Sequence, residues 1–324
     1  MATRVELATV AGLQSVAPAL CLVHLEAPSL APVAGPGQAL LVRCTDPEHP
    51  SADPYLPRAY FVFAVDRQAG RLSLLVEVRG RGSAWLARRR EGDRVLLHGP
   101  VGREVRPARQ TRHLLLLASG AIGVAGTSLL AATAARGGLS VTLIAGPGAP
   151  GGAPPGGALP PQLLPADVEY RTATPEQGGL LGALPDALSW ADEVVVAAPW
   201  PLLETLALLR RARLEPFSLR ASLPVQAMPL APLSTGLSSA AGTAGGGGDT
   251  LPCGTGACGA CVIPTGRGLR LACREGPAFP LEALRFDAPD SSDSFDAPDA
   301  TATRDAGPDS PASPPSGATV YDLQ

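Results

Sequence analysis

Four cysteines crowd into a short stretch near the C-terminal third of the chain, with the spacing Cys253-x4-Cys258-x2-Cys261-x11-Cys273. Nothing else in the sequence restricts the fold so strongly. The first three positions match the C-x4-C-x2-C run of plant-type [2Fe–2S] proteins. A core of irons and sulfides needs its thiolates on a tightly curled loop. Gly254, Gly256 and Gly259 allow the positive φ angles that such a curl demands. Their amides can also approach the sulfurs and stabilise a negative cluster. Zinc is the competing ligand set, although zinc ribbons favour two separated C-x2-C hairpins and only one such pair is present. Plain free thiols are the third reading.

The remaining cysteines, Cys21 and Cys44, stand alone among apolar residues and read as inert core thiols. No secretory signal pattern precedes them, and no stretch of about 20 apolar residues reads as a membrane span. These features point to a reducing, cytoplasmic setting, where clustered cysteines favour metal over disulfides. The formal net charge is -3 over 324 residues, which argues against a nucleic-acid partner. The bases are all arginine. The four histidines, His24, His49, His98 and His113, show no metal-ligand spacing.

Along the chain, residues 1–106 read as β structure. Short β-rich runs at 4–10, 19–25, 39–43, 60–66, 71–78 and 94–99 are separated by turn formers, which predicts a closed antiparallel barrel. One helix is expected over 83–90 with Ser83 as N-cap. Residues 107–222 change character. Apolar strands at 114–118, 140–145 and 193–198 alternate with helices at 126–136 and 202–211, the pattern of a parallel sheet. Residues 146–161 read as a loose Gly/Pro loop. Residues 223–286 carry the cysteines, with a Gly-rich insertion at 234–250. The tail, 287–324, is acidic and Pro/Ser-rich and reads as disordered. Phe-Asp-Ala-Pro-Asp occurs at 286–290 and again at 295–299.

The run LPCGTGACGACVIPTGRGLRLACREGPAFPLEAL, residues 251–284, resembles the cluster domain of the dihydroorotate dehydrogenase electron-transfer subunit, within the ferredoxin–NADP reductase-like superfamily. The short x11 gap and the closing Cys273-Arg274-Glu275-Gly276-Pro277-Ala278-Phe279 carry the likeness. The resemblance implies an α+β multidomain protein: an antiparallel β-barrel FAD domain, a Rossmann-like α/β NAD domain and a small C-terminal [2Fe–2S] domain. It makes Cys253, Cys258, Cys261 and Cys273 the cluster ligands. It places Arg58, Ala59, Tyr60 and Phe61 at the flavin motif, where the family has Arg-x-x-Ser and this chain has Phe61 for the serine. Leu75, Val76 and Glu77 would line the flavin with backbone atoms. Gly82 and Ser83 would hold phosphate through backbone amides. Gly120 and Gly123 follow a strand and open a helix, as in a dinucleotide phosphate turn. At the superfamily's Cys-Gly-Pro segment stands Ala197-Ala198-Pro199.

The cofactors implied are a [2Fe–2S] cluster and FAD, with NAD(H) as substrate. The implied partner is the FMN-bearing catalytic dihydroorotate dehydrogenase subunit, in a heterotetramer of pyrimidine biosynthesis. No catalytic acid, base or nucleophile is needed, because the protein's task is to position cofactors. Two other readings stay open. One is a reductase component for another redox partner such as an oxygenase. The other is a degenerate cluster-binding protein without turnover, which Phe61, Ala197 and Ala198 motivate.

Overall fold

A computed structural model of the chain describes residues 3–48, 51, 53–147, 159–214, 223–230, 251 and 253–286. The Gly-rich insertion, the acidic tail and most of the 146–161 loop lie outside those residues. Strand β1 (Arg4–Ala17) opens the chain and is twice as long as its sequence suggests. Its first half pairs with β6 (Arg94–Val101), and its second half pairs with β2 (Leu20–Glu26). Register shifts at Val10/Gly12 and Ser15/Ala17 bend it from one neighbour to the other. Bulges of this kind increase twist and let a sheet curl. With β3 (Ala39–Arg43), β4 (Arg58–Asp66) and β5 (Arg71–Glu77), the strands close a barrel in the order β1-β2-β5-β4-β3-β6. Alternate residues such as Val23, Leu25, Leu40, Val42, Leu72, Leu74, Val95 and Leu97 fill its interior.

Helix α1 is Arg81–Leu86, not 83–90. Its N-cap is Gly80, and Ser83 is its third residue. The Ser83 hydroxyl accepts from the amides of Arg79 (2.9 Å) and Gly80 (3.1 Å). The cap has moved to a residue with no side chain because Ser83 reaches back to the turn from inside the helix.

The second unit is built on a sheet in the order β14-β11-β10-β7-β8-β9. Its members are β7 (His113–Ser119), β8 (Ser140–Gly146), β9 (Val168–Thr172), β10 (Glu193–Ala198) and β11 (Val225–Pro229), all parallel, with β14 (Phe279–Pro280) antiparallel at one edge. The strand β11 lies beyond the 222/223 boundary expected from sequence, so the sheet takes residues first assigned to the cluster segment. Both faces are covered, which explains the continuous apolar runs. Leu114, Leu116 and Ala118 face one core; Leu115 and Leu117 face the other, which the short helices α3 (Gly179–Gly182) and α4 (Leu184–Leu188) and the longer helix α5 (Trp200–Arg211) cover.

Helix α2 spans Gly120–Arg136, six residues more than its glycines suggest at the start. It is apolar on nearly every side because it is sandwiched. It packs on β4 and β5 of the barrel and on β7, β8 and β10 of the sheet. Gly123 allows this approach: a Cβ there would lie 2.9 Å from the Ala197 carbonyl oxygen and 3.0 Å from the Ala118 carbonyl carbon. Buried Glu193 ties the linker between the units, accepting from the Thr111 hydroxyl (2.6 Å) and the Ala108 amide (2.8 Å).

The third element group is small. The hairpin β12 (Val262–Thr265) and β13 (Gly268–Leu271) leads into the one-turn helix α6 (Ala272–Glu275). The fold class implied by the resemblance is therefore present: an antiparallel barrel, a Rossmann-like parallel sheet and a C-terminal cysteine-bearing unit. Among the described residues no helix is long and apolar enough to cross a membrane.

Candidate functional site

The cysteine loop is seated on the barrel. Leu251 packs with Ala39, Leu41 and Val101. The amide of Gly102 donates to the Cys273 carbonyl (2.9 Å) and that of Arg103 to the Gly276 carbonyl. Gly254, Gly256 and Gly259 all have positive φ, at 66°, 88° and 65°. At Gly254 a Cβ would stand 2.6 Å from Val101 Cγ1 and 2.9 Å from Leu41 Cδ1, so the close seat on β3 and β6 requires glycine.

This curl gathers the sulfurs together. Cys253 lies beside Cys258 and Cys261 beside Cys273, and the charge of Cys253 is felt at both Cys261 and Cys273. Amides point at the sulfurs as well: Thr255 N–H donates to Cys253 Sγ and Cys273 N–H to Cys261 Sγ, each at 3.4 Å. Burial pushes the Cys253 thiol up, but bonds from Cys258 and Thr255 outweigh it and bring it below its ordinary value. The Cys273 side chain lowers Cys261, and the same bond raises Cys273. Among the described residues, no three His, Cys, Asp or Glu side chains converge closely enough to hold a single metal ion.

Cys258 is exposed, Cys253 half-buried, and Cys261 and Cys273 buried. The buried pair lies on the wall of a cleft with a cavity volume of about 120 Å³, open to solvent, where all three units meet. Ala59, Tyr60 and Phe61 of β4 and Leu75 and Glu77 of β5 form the barrel wall. Ile122 and Ala125 of α2, with Pro229 at the end of β11 and Leu230 after it, form the sheet wall. Ile263 and Ala272 flank the two cysteines. Five of the flavin residues implied by the resemblance are thus brought together with half of the cysteine set.

The other implied residues stand elsewhere. Val76 points into the barrel core. Arg58 lies beside the cleft wall, donating to the Leu56 carbonyl at 2.7 Å. It packs on Gly82, where a Cβ would come within 3.0 Å of Arg58 Cγ. A cation is thereby fixed at the start of α1. Gly82 and Ser83 are at that start, and Gly120 and Gly123 are at the start of α2, outside the cleft lining. Strand order reverses between β7 and β10, and Gly120 and Ala198 stand at their C-terminal ends. That crevice is the usual ligand position of doubly wound sheets. Ala197 and Ala198 are fully buried there.

The sequence did not single out Arg79, whose guanidinium pairs with buried Glu77 at 2.8 Å on the cleft wall. An alternation of charges at the end of β5 was its only signal. Pro229 and Leu230 were also missed, because β11 looked like part of the cysteine segment. The lone thiols suit inert roles: burial pushes Cys44 up to about 11 and raises Cys21.

Residues 249–285 match the family model of the iron–sulfur cluster binding domain of dihydroorotate dehydrogenase B. The resemblance read from the cysteine segment is borne out. A curated relative, the dihydroorotate dehydrogenase B (NAD(+)), electron transfer subunit of Desulforamulus reducens, is 38% identical over 96 residues, which cover 30% of this chain and 35% of that protein. The match thus spans about a third of the relative's length. Among solved structures, one described under flavin-based electron bifurcation via the NADH-dependent reduced ferredoxin-NADP oxidoreductase is similar over 86% of this chain and 90% of its own, with TM-score 0.63 and 19% identity. An intact type IV self-sufficient cytochrome P450 monooxygenase is similar over 82% of this chain and 36% of its own, with TM-score 0.52 and 15% identity. At these identities the likeness to both structures is one of fold.

Proposed function

We propose that the chain is an electron-transfer subunit that holds a [2Fe–2S] cluster on Cys253, Cys258, Cys261 and Cys273 and FAD in the cleft. It exchanges reducing equivalents with NAD(H) at the C-terminal edge of the parallel sheet and with a partner flavoprotein. The partner is the FMN-bearing catalytic subunit of a dihydroorotate dehydrogenase, in a heterotetramer serving pyrimidine biosynthesis. The observation that carries this reading is that Cys261 and Cys273 share one cleft with Tyr60, Phe61 and Leu75.

The arrangement of the thiols supports the choice of metal group. A two-iron core takes a pair of thiolates at each iron, because bridging sulfides fill the other positions. Structural zinc instead needs all its ligands around one point, and among the described residues no three such side chains converge on one. When bound, FAD accepts hydride yet releases electrons singly, so it links a two-electron couple to a one-electron centre. The protein's own residues bind and orient. Tyr60, Phe61, Leu75, Leu230 and Ile263 give the cleft an apolar side on which a flavin ring would lie, while Arg58 and the amides around Gly82 offer positive charge for a pyrophosphate. Amides directed at Cys253 and Cys261 stabilise the thiolates. Exposed Cys258 marks the side of the loop open to the partner.

A second reading is favoured by the end of β10, where Ala197 and Ala198 are buried and offer no side-chain polar group. A cluster- and flavin-binding protein without nicotinamide turnover would need nothing more there. NADH-dependent reduction of a dye separates the two, since turnover is expected only under the first. Cys258→Ser tests the ligand set: cluster absorbance should vanish while flavin stays bound. Unchanged iron and sulfide in that variant would show that Cys258 is no ligand.

A further inference from the structure

A group of arginines that shares no residue with the cleft lies at the C-terminal end of helix α5 (Trp200–Arg211). With the single turn Leu281–Ala283, the helix borders an open pocket of about 220 Å³ lined by Ala207, Arg210, Arg211, Arg213, Leu281 and Glu282. Among the described residues Glu282 is the only carboxylate in this lining, and its Oε2 stands 3.9 Å from Arg210 Nη2. Arg211 gives one N–H to the Leu284 carbonyl at 3.2 Å. The Arg210 side chain is only 14% exposed, and its Nη1 is buried with no hydrogen-bond partner.

Basic residues in the last turn of a helix are ordinarily solvated and gain from the helix dipole. That explains Arg213, which is exposed. It does not explain Arg210, whose guanidinium is largely withdrawn from water while its carboxylate partner Glu282 stands 3.9 Å away. Among the described lining residues, three guanidinium groups against one carboxylate leave an excess of two positive charges, of which the helix end offsets about half a charge.

We propose that this pocket binds a phosphate group. A phosphate carries a charge near that excess and enough oxygens to engage several guanidinium forks, whereas a carboxylate carries a single charge. Ala207 and Leu281 give an apolar side on which the carbon part of a phosphate monoester can rest.

The position gives such binding a consequence. The Ala283 carbonyl accepts from the Gly266 amide (2.8 Å), and the Arg285 amide donates to the Pro264 carbonyl (3.0 Å). The turn that forms one side of the pocket is therefore fastened to the β12–β13 hairpin, which runs between Cys261 and Cys273. An occupied pocket locks that hairpin to α5 and restrains the cysteine loop.

The test uses the full-length protein with its cofactors, titrated with inorganic phosphate against chloride at matched ionic strength. Thermal melting and the rate of visible bleaching under a chelator are followed. The expected result is a saturable rise in melting temperature and slower bleaching, with the apparent phosphate affinity weakened about tenfold in both Arg210→Gln and Arg213→Gln. Arg213 is exposed, so its variant keeps the test open if Arg210→Gln fails to fold. Glycerol phosphate in a parallel arm distinguishes a monoester, which would bind more tightly, from free phosphate. A wild-type protein with no saturable shift, or variants with the full wild-type shift, would overturn the proposal. Melting is read separately from visible absorbance, so failure of the cluster assignment is distinguishable from failure of the pocket.

Discussion

The amide of Gly102 donates a 2.9 Å hydrogen bond to the carbonyl of Cys273, joining the last barrel strand to the last cysteine of the loop. Gly102 has φ 85°, and a Cβ there would lie 3.1 Å from the Gly276 carbonyl oxygen. The cysteine loop is thus held by backbone against backbone, with glycine on the barrel side. The cleft between the two inherits its shape from that contact.

Gly254→Val should loosen this seat. The new side chain meets Val101 and Leu41 in a left-handed backbone region, and such overpacking costs about 1–3 kcal/mol. Iron and sulfide content should fall and the melting temperature should drop. The barrel, which keeps its own core, should still bind flavin. Metal analysis and calorimetry on one preparation check both outcomes.

Gly123→Val should act on the other side of the cleft. Its side chain would press on the Ala197 and Ala118 backbone and push α2 off β7 and β10. A loss of about 1–3 kcal/mol is expected, together with weaker flavin retention, because Ile122 and Ala125 of the same helix line the cleft. Denaturant unfolding and flavin fluorescence report the two effects separately.

His24 predicts a pH effect. Burial lowers its pKa from the ordinary 6.5, and its Nδ1 lies 2.8 Å from the Ser73 hydroxyl across β2 and β5. The unfolded chain therefore takes up a proton at higher pH than the fold does. Stability is fully present above the ordinary histidine value and is lost as pH falls toward the depressed folded value. His24→Gln should flatten the stability profile across that window. An unchanged slope in the variant would assign the effect to another group.

Much of this was legible in the sequence wherever the determining physics is local. The cysteine spacing and its glycines describe a curl over a few residues, and the curl appears. The barrel strands announced themselves through alternation and turn residues. The second half of β1 did not, because the Val10/Gly12 bulge breaks the period of two and the residues beyond it are half-exposed on both faces. Gly120 and Gly123 looked like a turn because glycine is a poor helix former. Packing against Ala197 overrides that preference and makes glycine necessary. The strand β11 was hidden by its length and by Pro229, since only pairing with β10 makes it a strand. Arg79 and the α5 arginines became visible only when distant segments were set side by side.

The most direct measurement is the iron, sulfide, zinc and flavin content of the full-length protein purified without oxygen, read with its visible spectrum. The expected result is about two iron and two sulfide per chain with bound FAD. Stoichiometric zinc with no sulfide, or iron and sulfide with no flavin, would contradict a cluster and a flavin sharing one cleft.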